Sequence, residues 1–147
     1  MHRSPPHALR VTTLLALNIA ANVALASDLV VIVNPLSGVR SMTRDEVANV
    51  FMARYRQLPS GTMARPLDLG SDSVQRHEFY ARLVGKQLPD INAYWARLLF
   101  SGRAIPPLQV RDSDAAIKTV AENKGAIAYV DKRAVDARVR VVLELGD

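Results

Sequence analysis

The chain has 147 residues, which suits one ordinary domain and is short for two. Hydrophobic residues make up 49% and charged residues 22%, a globular composition that excludes disorder along the whole chain. The lack of cysteine excludes disulfides, thiolate metal sites and cysteine nucleophiles, and the formal charge of +5 suggests an anionic partner.

Residues 1–26 have the three parts of a secretory signal. The first ten residues carry two arginines and no acid, residues 11–23 form an apolar run, and Ala24 to Ala26 form an A-x-A cleavage site. The apolar run is short for a membrane span of about 20 residues. We therefore predict that the segment is cleaved rather than kept as an anchor. The remaining single domain, residues 27–147, is then periplasmic or secreted, with no membrane span.

Removal of this segment takes away two positive charges and leaves His77 as the one histidine. A zinc site built from several histidines in one mature chain is thereby excluded. Basic and acidic residues interleave along the rest of the chain, which is typical of a solvated surface rather than a nucleic-acid face. The sequence therefore predicts no nucleic-acid partner, no metal and no cofactor.

The first half of the mature chain alternates strand and helix patterns. The apolar run at Leu29 to Val33 predicts a strand covered on both faces. Thr43 to Glu46 match a capping box, followed by a helix. Arg65 to Leu69 predict a short strand. Pro66 indicates that this strand either lies at a sheet edge or starts at the proline. A loop at residues 70–73 then leads into a helix that ends near Gly85.

The second half continues the alternation. A strongly amphipathic helix starts at Pro89 and ends at Ser101-Gly102. Leu108 to Val110 predict a strand, followed by a helix that Ser113 or Asp114 caps and Gly125 stops. The last two predicted strands, the second of them an edge strand, are Ala126 to Val130 and Val139 to Leu145. This order predicts a single α/β domain with a mixed central sheet flanked by helices on both faces.

The sequence lacks the usual signs of an enzyme. No G-x-S-x-G elbow and no G-x-x-x-x-G-K-[ST] phosphate loop is present. His77 falls inside a predicted helix, where a lone histidine is usually a surface or packing residue. The paired acids, Asp45-Glu46 and Asp112/Asp114, fall at helix starts, where carboxylates cap and favour the helix dipole. We predict no catalytic residues.

One loop has the parts of a small-anion site. Gly70, Ser71, Asp72 and Ser73 precede a helix, and Arg76 follows one turn later. Exposed N–H groups at a helix start, hydroxyl donors and a nearby cation are the groups that bind oxyanions. The loop also fits an ordinary N-cap, with one serine as the cap and Asp72 in a capping box, and the pattern alone favours that cap. The negative charge of Asp72 opposes an anion, unless the carboxylate accepts a proton from a protonated ligand.

Several segments in the same order carry a resemblance to a known family. The segments VIVNPLSG, SMTRDEVANVF, PLDLGSDS, YWARLLFSGR and GAIAYVD resemble the phosphate ABC-transporter substrate-binding proteins, and more closely their short, single-lobe exported members. The resemblance runs from about Val30 to Leu145. It implies one lobe of a type II periplasmic binding protein-like fold, in which two α/β lobes hold the anion in the cleft between them.

The resemblance also carries over to particular residues. In the family, the second lobe contributes an arginine and a D-G-S-G-T-like turn at a helix start, which falls here on residues 71–75. Ser73 matches the family serine, whereas the next two residues replace the glycine and the threonine. The family arginine falls near Asp68 or Leu69, and Arg76 is our candidate for a substitute.

Two functions follow from this reading. The first is an exported, non-enzymatic module, related to phosphate ABC transport, that binds phosphate or a similar oxyanion weakly at the loop of residues 70–73 with Arg76. The alternative is a non-catalytic protein-interaction module that keeps the lobe fold without anion binding. In that case the exposed lobe face meets a protein partner or a second copy of the chain.

Overall fold

A computed structural model describes residues 27–146, so the predicted signal of residues 1–26 lies outside the described part. The described chain alternates strands and helices as the sequence predicts. The elements are β1 (Leu29–Val33), α1 (Arg44–Phe51), β2 (Arg65–Leu69), α2 (Val74–Val84), α3 (Leu88–Phe100), β3 (Leu108–Val110), α4 (Ser113–Glu122), β4 (Ala126–Asp131), a short 3-10 helix (Lys132–Ala134) and β5 (Arg140–Leu145).

The five strands form one mixed sheet in the order β3-β2-β4-β1-β5. Strand β2 runs parallel to both of its neighbours, β3 and β4, whereas β1 is antiparallel to β4 and to β5. The predicted mixed sheet is therefore confirmed, and β5 is an edge strand as expected. The carboxyl ends of β2, β3 and β4 consequently lie at the same edge of the sheet.

Each face of the sheet buries a separate apolar cluster. Helices α1, α2 and α3 cover one face, where Phe51, Phe79 and Trp95 pack against alternate strand residues such as Val31 and Tyr129. Helix α4 covers the other face through Ala116, Ile117 and Val120, and the segment from the short 3-10 helix to β5 packs beside it. Successive residues of β1 belong alternately to the two clusters, which explains why its sequence is apolar at every position.

Two local predictions are corrected by the strand order and the helix caps. Of the two alternatives for Pro66, the sheet edge is wrong, because β2 is interior, whereas a position near the start of the strand agrees with β2 beginning at Arg65 and pairing with β3 only from Leu67. The N-cap of α4 is Asp112, whose carboxylate accepts the Ala115 N–H at 2.8 Å, rather than Ser113 or Asp114. Asp112 has the extended backbone that a cap requires, and it is placed where β3 has just ended.

The first helix starts as the sequence predicts, whereas the second has a serine cap and, among the contacts described for residues 27–146, no capping box at Asp72. Thr43 and Glu46 form the predicted reciprocal capping box at α1. At α2, Ser73 is the N-cap and accepts the Arg76 N–H, and the left-handed Gly85 ends the helix. Within residues 27–146, no helix has the length and apolar character needed to cross a bilayer.

Candidate functional site

The chain leaves β2 and β3 toward opposite faces of the sheet. The two strands are parallel neighbours, with Leu69 opposite Val110 at their carboxyl ends. The loop after β2 leads to α2 on one face, and the loop after β3 leads to α4 on the other. Such a divergence opens a crevice outside the strand ends, which is where open α/β sheets generally bind ligands.

A cavity of about 320 Å³ occupies this crevice. We call it the switch-point pocket, and its lining comes from the end of β2, the start of α2 and the β3–α4 junction. The lining residues are Leu69, Ser73, Gln75, Arg111, Asp112, Ser113 and Asp114. The pocket lies between the N-termini of α2 and α4, and N-terminal N–H groups lack partners within their own helix.

The α2 side of the pocket favours an anion. No acidic residue occupies the first turn of α2, so the partial positive charge of its N-terminus is not neutralised from within the helix. The Ser73 hydroxyl oxygen accepts the Arg76 N–H at 3.3 Å, which leaves the hydroxyl hydrogen free to donate to a ligand. Gln75, partly buried, adds a side-chain amide to the lining.

The α4 side of the pocket has mixed charge. The Ala115 N–H, the Arg111 guanidinium and burial act on Asp112, and the hydrogen bond from Ala115 is the largest effect, so the pKa of this carboxyl lies below its ordinary value. Asp112 is therefore ionised at neutral pH and already caps α4. The neighbouring Arg111 places its Nε 3.4 Å from Asp112 Oδ2, and its side chain is 88% exposed. Arg111 is thus a cation within reach of a ligand in the pocket.

Arg76 points away from the pocket and into the core. Its Nε donates to Asp68 Oδ2 at 3.0 Å, and both terminal nitrogens lie 3.3 Å from Asn92 Oδ1. Arg76 is 4% exposed and Asp68 is 3% exposed. The pair is therefore a buried ion pair that ties β2 to α2 and α3, and the guanidinium charge is balanced by its partner.

Asp68 also accepts hydrogen bonds from two buried tyrosines. The Tyr80 hydroxyl donates to Asp68 Oδ2 at 2.9 Å, and the Tyr129 hydroxyl donates to Asp68 Oδ1. The Leu69 N–H lies 2.9 Å from Asp68 Oδ1 and 3.1 Å from the Tyr129 hydroxyl oxygen. Both side-chain oxygens of this buried carboxylate are thus satisfied, one residue before Leu69, which lines the switch-point pocket.

Burial, reinforced by the negative charge of Asp68, raises the pKa of both Tyr80 and Tyr129 above the ordinary tyrosine value. In the unfolded chain the tyrosines ionise near pH 10. Above that pH the unfolded state loses protons that the native state keeps, so the free energy of unfolding falls as pH rises. Between pH 9 and pH 11, about one unit either side of that value, each tyrosine should lower the free energy of unfolding by about 1.4 kcal/mol in total, a mean slope of about 0.7 kcal/mol per pH unit. Chemical denaturation at several pH values across this range measures the slope.

The variants Tyr80→Phe and Tyr129→Phe should each remove one tyrosine's share of this slope. Tyr55→Phe is the matched control, because Tyr55 is exposed and makes no hydrogen bond to Asp68 among the described contacts. Equal slopes in the wild type, Tyr80→Phe and Tyr129→Phe would contradict the buried network.

The structure separates the residues that the sequence grouped into one site. Ser73 lines the switch-point pocket, and Gly70, Ser71 and Asp72 form the loop that leads to it, with Ser71 and Asp72 exposed. The side chain of Arg76 lies behind this loop in the ion pair with Asp68. Sequence reasoning missed Arg111 as a cation of this site and noted Asp112 only as a capping acid.

His77 lies outside the site. It is exposed on α2, and its Nε2 is 2.8 Å from the side-chain oxygen of Gln87. Among residues 27–146, no three side chains of the metal-ligating types come together as a group that could hold a metal ion. The residues at the switch-point pocket offer hydroxyls and a guanidinium to a ligand.

Comparison with known proteins identifies similar structures only. No family model matches the chain, and no curated protein matches it by sequence. An ABC-type phosphate transport receptor from Vibrio cholerae superposes with a TM-score of 0.63 at 15% identity. A Clostridium perfringens protein described as a phosphate ABC transporter substrate-binding protein, solved with bound phosphate, gives 0.61 at 14% identity. PstS from Borrelia burgdorferi gives 0.54 at 10% identity.

Each of these matches covers 79% of this chain but only 45%, 44% and 46%, respectively, of the solved chain. The chain thus spans less than half the length of the receptors it resembles. At these identities the likeness concerns the fold, and the fold agrees with the one that the sequence resemblance implies. The described domain has the mixed α/β fold of phosphate-transport receptors, over less than half of their length.

Proposed function

We propose that this chain is an exported, non-enzymatic binding module that holds phosphate or a similar small oxyanion weakly in the switch-point pocket. The observation that carries the proposal is the position of that pocket, outside the ends of two parallel strands whose loops diverge to opposite faces. Export is supported by the signal pattern of residues 1–26. Similar folds in phosphate receptors add support by analogy.

The α2 start supplies the donors in this proposal. The anion accepts hydrogen bonds from N–H groups of the first turn and from the hydroxyls of Ser71 and Ser73. Gly70 lets the backbone approach the anion closely. Arg111 supplies the exposed positive charge. Arg76 does not contact the anion in this proposal. It positions the donors indirectly, because its ion pair with Asp68 fixes α2 against β2.

Acidic neighbours set the kind of anion that fits. Asp112 and Asp114 line the pocket, and Asp72 lies in the loop beside it. Their charge disfavours a fully deprotonated oxyanion, whereas an anion that keeps a proton can donate it to a carboxylate. Phosphate keeps a proton at neutral pH and sulfate does not, so we expect phosphate to bind more tightly than sulfate.

Calorimetric titration and thermal shift with phosphate and sulfate test the proposal. An open pocket with few donors suggests a dissociation constant on the order of 1 mM. At ten times that concentration, phosphate should stabilise the native state by about 1.4 kcal/mol. Asp112→Asn keeps a good N-cap and should narrow the difference between phosphate and sulfate. The absence of heat and of stabilisation at this phosphate concentration would refute anion binding.

Two variants with matched controls locate the site. Ser73→Gly removes the hydroxyl and costs α2 only a few tenths of a kcal/mol as an N-cap. It should weaken phosphate binding, as should Arg111→Gln. The controls Thr43→Gly, at the cap of α1, and Arg40→Gln, an exposed arginine after β1, lie toward the opposite end of the sheet and should leave binding unchanged.

A protein-interaction module remains the second candidate, because large apolar side chains are exposed near the end of α3. Phe100 is 98% exposed, and Leu99, Ile105 and Leu108 of the same stretch are also exposed. An exposed apolar patch is typical of a contact surface. Self-association in light scattering that Phe100→Ser abolishes, together with no phosphate binding, would favour this function over the first.

A further inference from the structure

A second cavity lies at the other end of the sheet. It has a volume of about 510 Å³ and is bounded by α1 and by the segment that leads from α1 to β2. Its wall includes Met63, whose carbonyl abuts Gly125 just before β4 begins. The five residues of β2, about 16 Å of strand, separate this end from the switch-point pocket. We call it the arginine pocket.

The lining of the arginine pocket is mixed, and one part of it is apolar. Met42, Val50 and Leu58 are buried residues that line it, and the exposed side chain of Met63 extends that surface to the rim. Tyr55, also exposed, adds an aromatic ring to the lining. The volume lies in the range of small-molecule sites, and the cavity combines these apolar side chains with polar and charged ones.

Two guanidiniums stand beside this apolar lining. Arg54 and Arg56 both line the pocket. Within residues 27–146 neither arginine forms an ion pair. Of the two, only Arg54 makes a side-chain hydrogen bond to another described residue, from its Nη1 to Asn49 Oδ1 at 3.4 Å. Their positive charge is therefore left without an acidic partner in this part of the protein. Guanidinium forks match a carboxylate, with which they form paired hydrogen bonds.

Glu46 limits the charge of the ligand. This acid lines the pocket, and its Oε2 accepts the Thr43 N–H at 2.8 Å in the capping box of α1. A dianion such as a phosphate monoester would meet greater repulsion from Glu46 than a singly charged carboxylate. A cationic ligand would be repelled by the guanidiniums of Arg54 and Arg56.

We propose that the arginine pocket binds a small amphipathic carboxylate, with its apolar or aromatic body on Val50, Leu58 and Met63 and its carboxylate on Arg54 and Arg56. This site is separate from the switch-point pocket in position and in ligand chemistry. The same chain thus carries an oxyanion site at one end of its sheet and a site for an apolar acid at the other.

Three probes of nearly the same shape test the charge preference in the unmodified protein. Indoleacetate, indoleacetamide and tryptamine share one aromatic body and differ in charge. Titration followed by amide chemical shifts should show indoleacetate perturbing residues 50–63 and binding about tenfold more tightly than indoleacetamide, with tryptamine weakest. Equal affinities for the acid and the amide, or perturbations elsewhere in the chain, would overturn the proposal. Absence of indoleacetate binding at about ten times the 1 mM scale of weak ligands would also overturn it.

Variants assign the preference to the two arginines. Arg54→Gln and Arg56→Gln change exposed side chains, so the fold should be retained, and the double variant should bind the acid and the amide equally. Lys118→Gln removes one positive charge from an exposed position of α4, on the opposite face of the sheet, and should leave indoleacetate affinity unchanged. An undiminished preference for the acid in the double variant would contradict the assignment.

Discussion

Replacing Arg76 with methionine is expected to lower the free energy of unfolding by about 3–5 kcal/mol, because it leaves the buried carboxylate of Asp68 without its cation. Methionine keeps the apolar stem and removes the charge. The tyrosine hydroxyls that remain can donate hydrogen bonds to Asp68, but they carry no compensating charge. Urea or guanidinium denaturation of the wild type and the variant measures the loss.

A second substitution tests whether the unpaired charge is the cause. Asp68→Asn combined with Arg76→Met removes both charges and keeps an oxygen for the tyrosines, so the double variant should be more stable than Arg76→Met alone. Arg138→Met is the surface control: Arg138 lies 2.9 Å from Asp136, and because that pair is exposed its loss should change stability little. A cost for Arg76→Met no larger than that of the control would show that the buried pair contributes nothing to folding.

Replacing Gly125 with alanine is expected to destabilise the protein by about 3 kcal/mol, at the upper end of the cost of overpacking. A β-carbon built on Gly125 would lie 2.1 Å from the carbonyl oxygen of Met63, and the contact is with backbone rather than with a flexible side chain. Relief of the contact would move Arg65, whose N–H donates to the Gly125 carbonyl at 2.8 Å, and with it the start of β2. Thermal and chemical denaturation both report the change.

Gly146→Ala is the matched control for Gly125→Ala. A β-carbon at Gly146 meets no atom within 4 Å, and neither glycine has a positive φ, so the two substitutions differ in packing alone. Equal stabilities of the two variants would mean that the segment around Met63 moves aside at no cost.

Element positions and the two buried faces of the sheet could be predicted from the sequence, because they depend on local patterns. Leu29 to Val33 is apolar at every position, and the helix caps and turn residues mark the boundaries. The interior position of β2 could not be predicted, because strand order depends on contacts between distant segments. The same limit applies to Gly125. Its sequence position predicts the end of a helix, whereas α4 ends at Glu122 and Gly125 instead allows a close contact with the backbone of Met63.

The direction of Arg76 was available in the sequence. Phe79, Tyr80 and Leu83 follow it by three, four and seven residues, the spacing of one helix face, and all three are buried. The arginine therefore lies on the inward face of α2 and requires a buried acid as a partner.

The role of Arg111 could not have been found in the same way. It becomes part of the switch-point pocket only because β3 pairs beside β2, which brings residues 42 positions apart in the chain, Leu69 and Arg111, to one crevice. No local pattern around Arg111 encodes that pairing. Strand order therefore determined which cation belongs to the candidate site.

The ion pair of Asp68 and Arg76 also bears on how the candidate site behaves over time. Because it joins β2 to the first turns of α2 in the core, those two segments should open to solvent together, as one cooperative unit in amide hydrogen exchange. The donors at the start of α2 are then already ordered before a ligand arrives. Little of the binding free energy is needed to arrange them, so a shallow pocket can retain a measurable affinity.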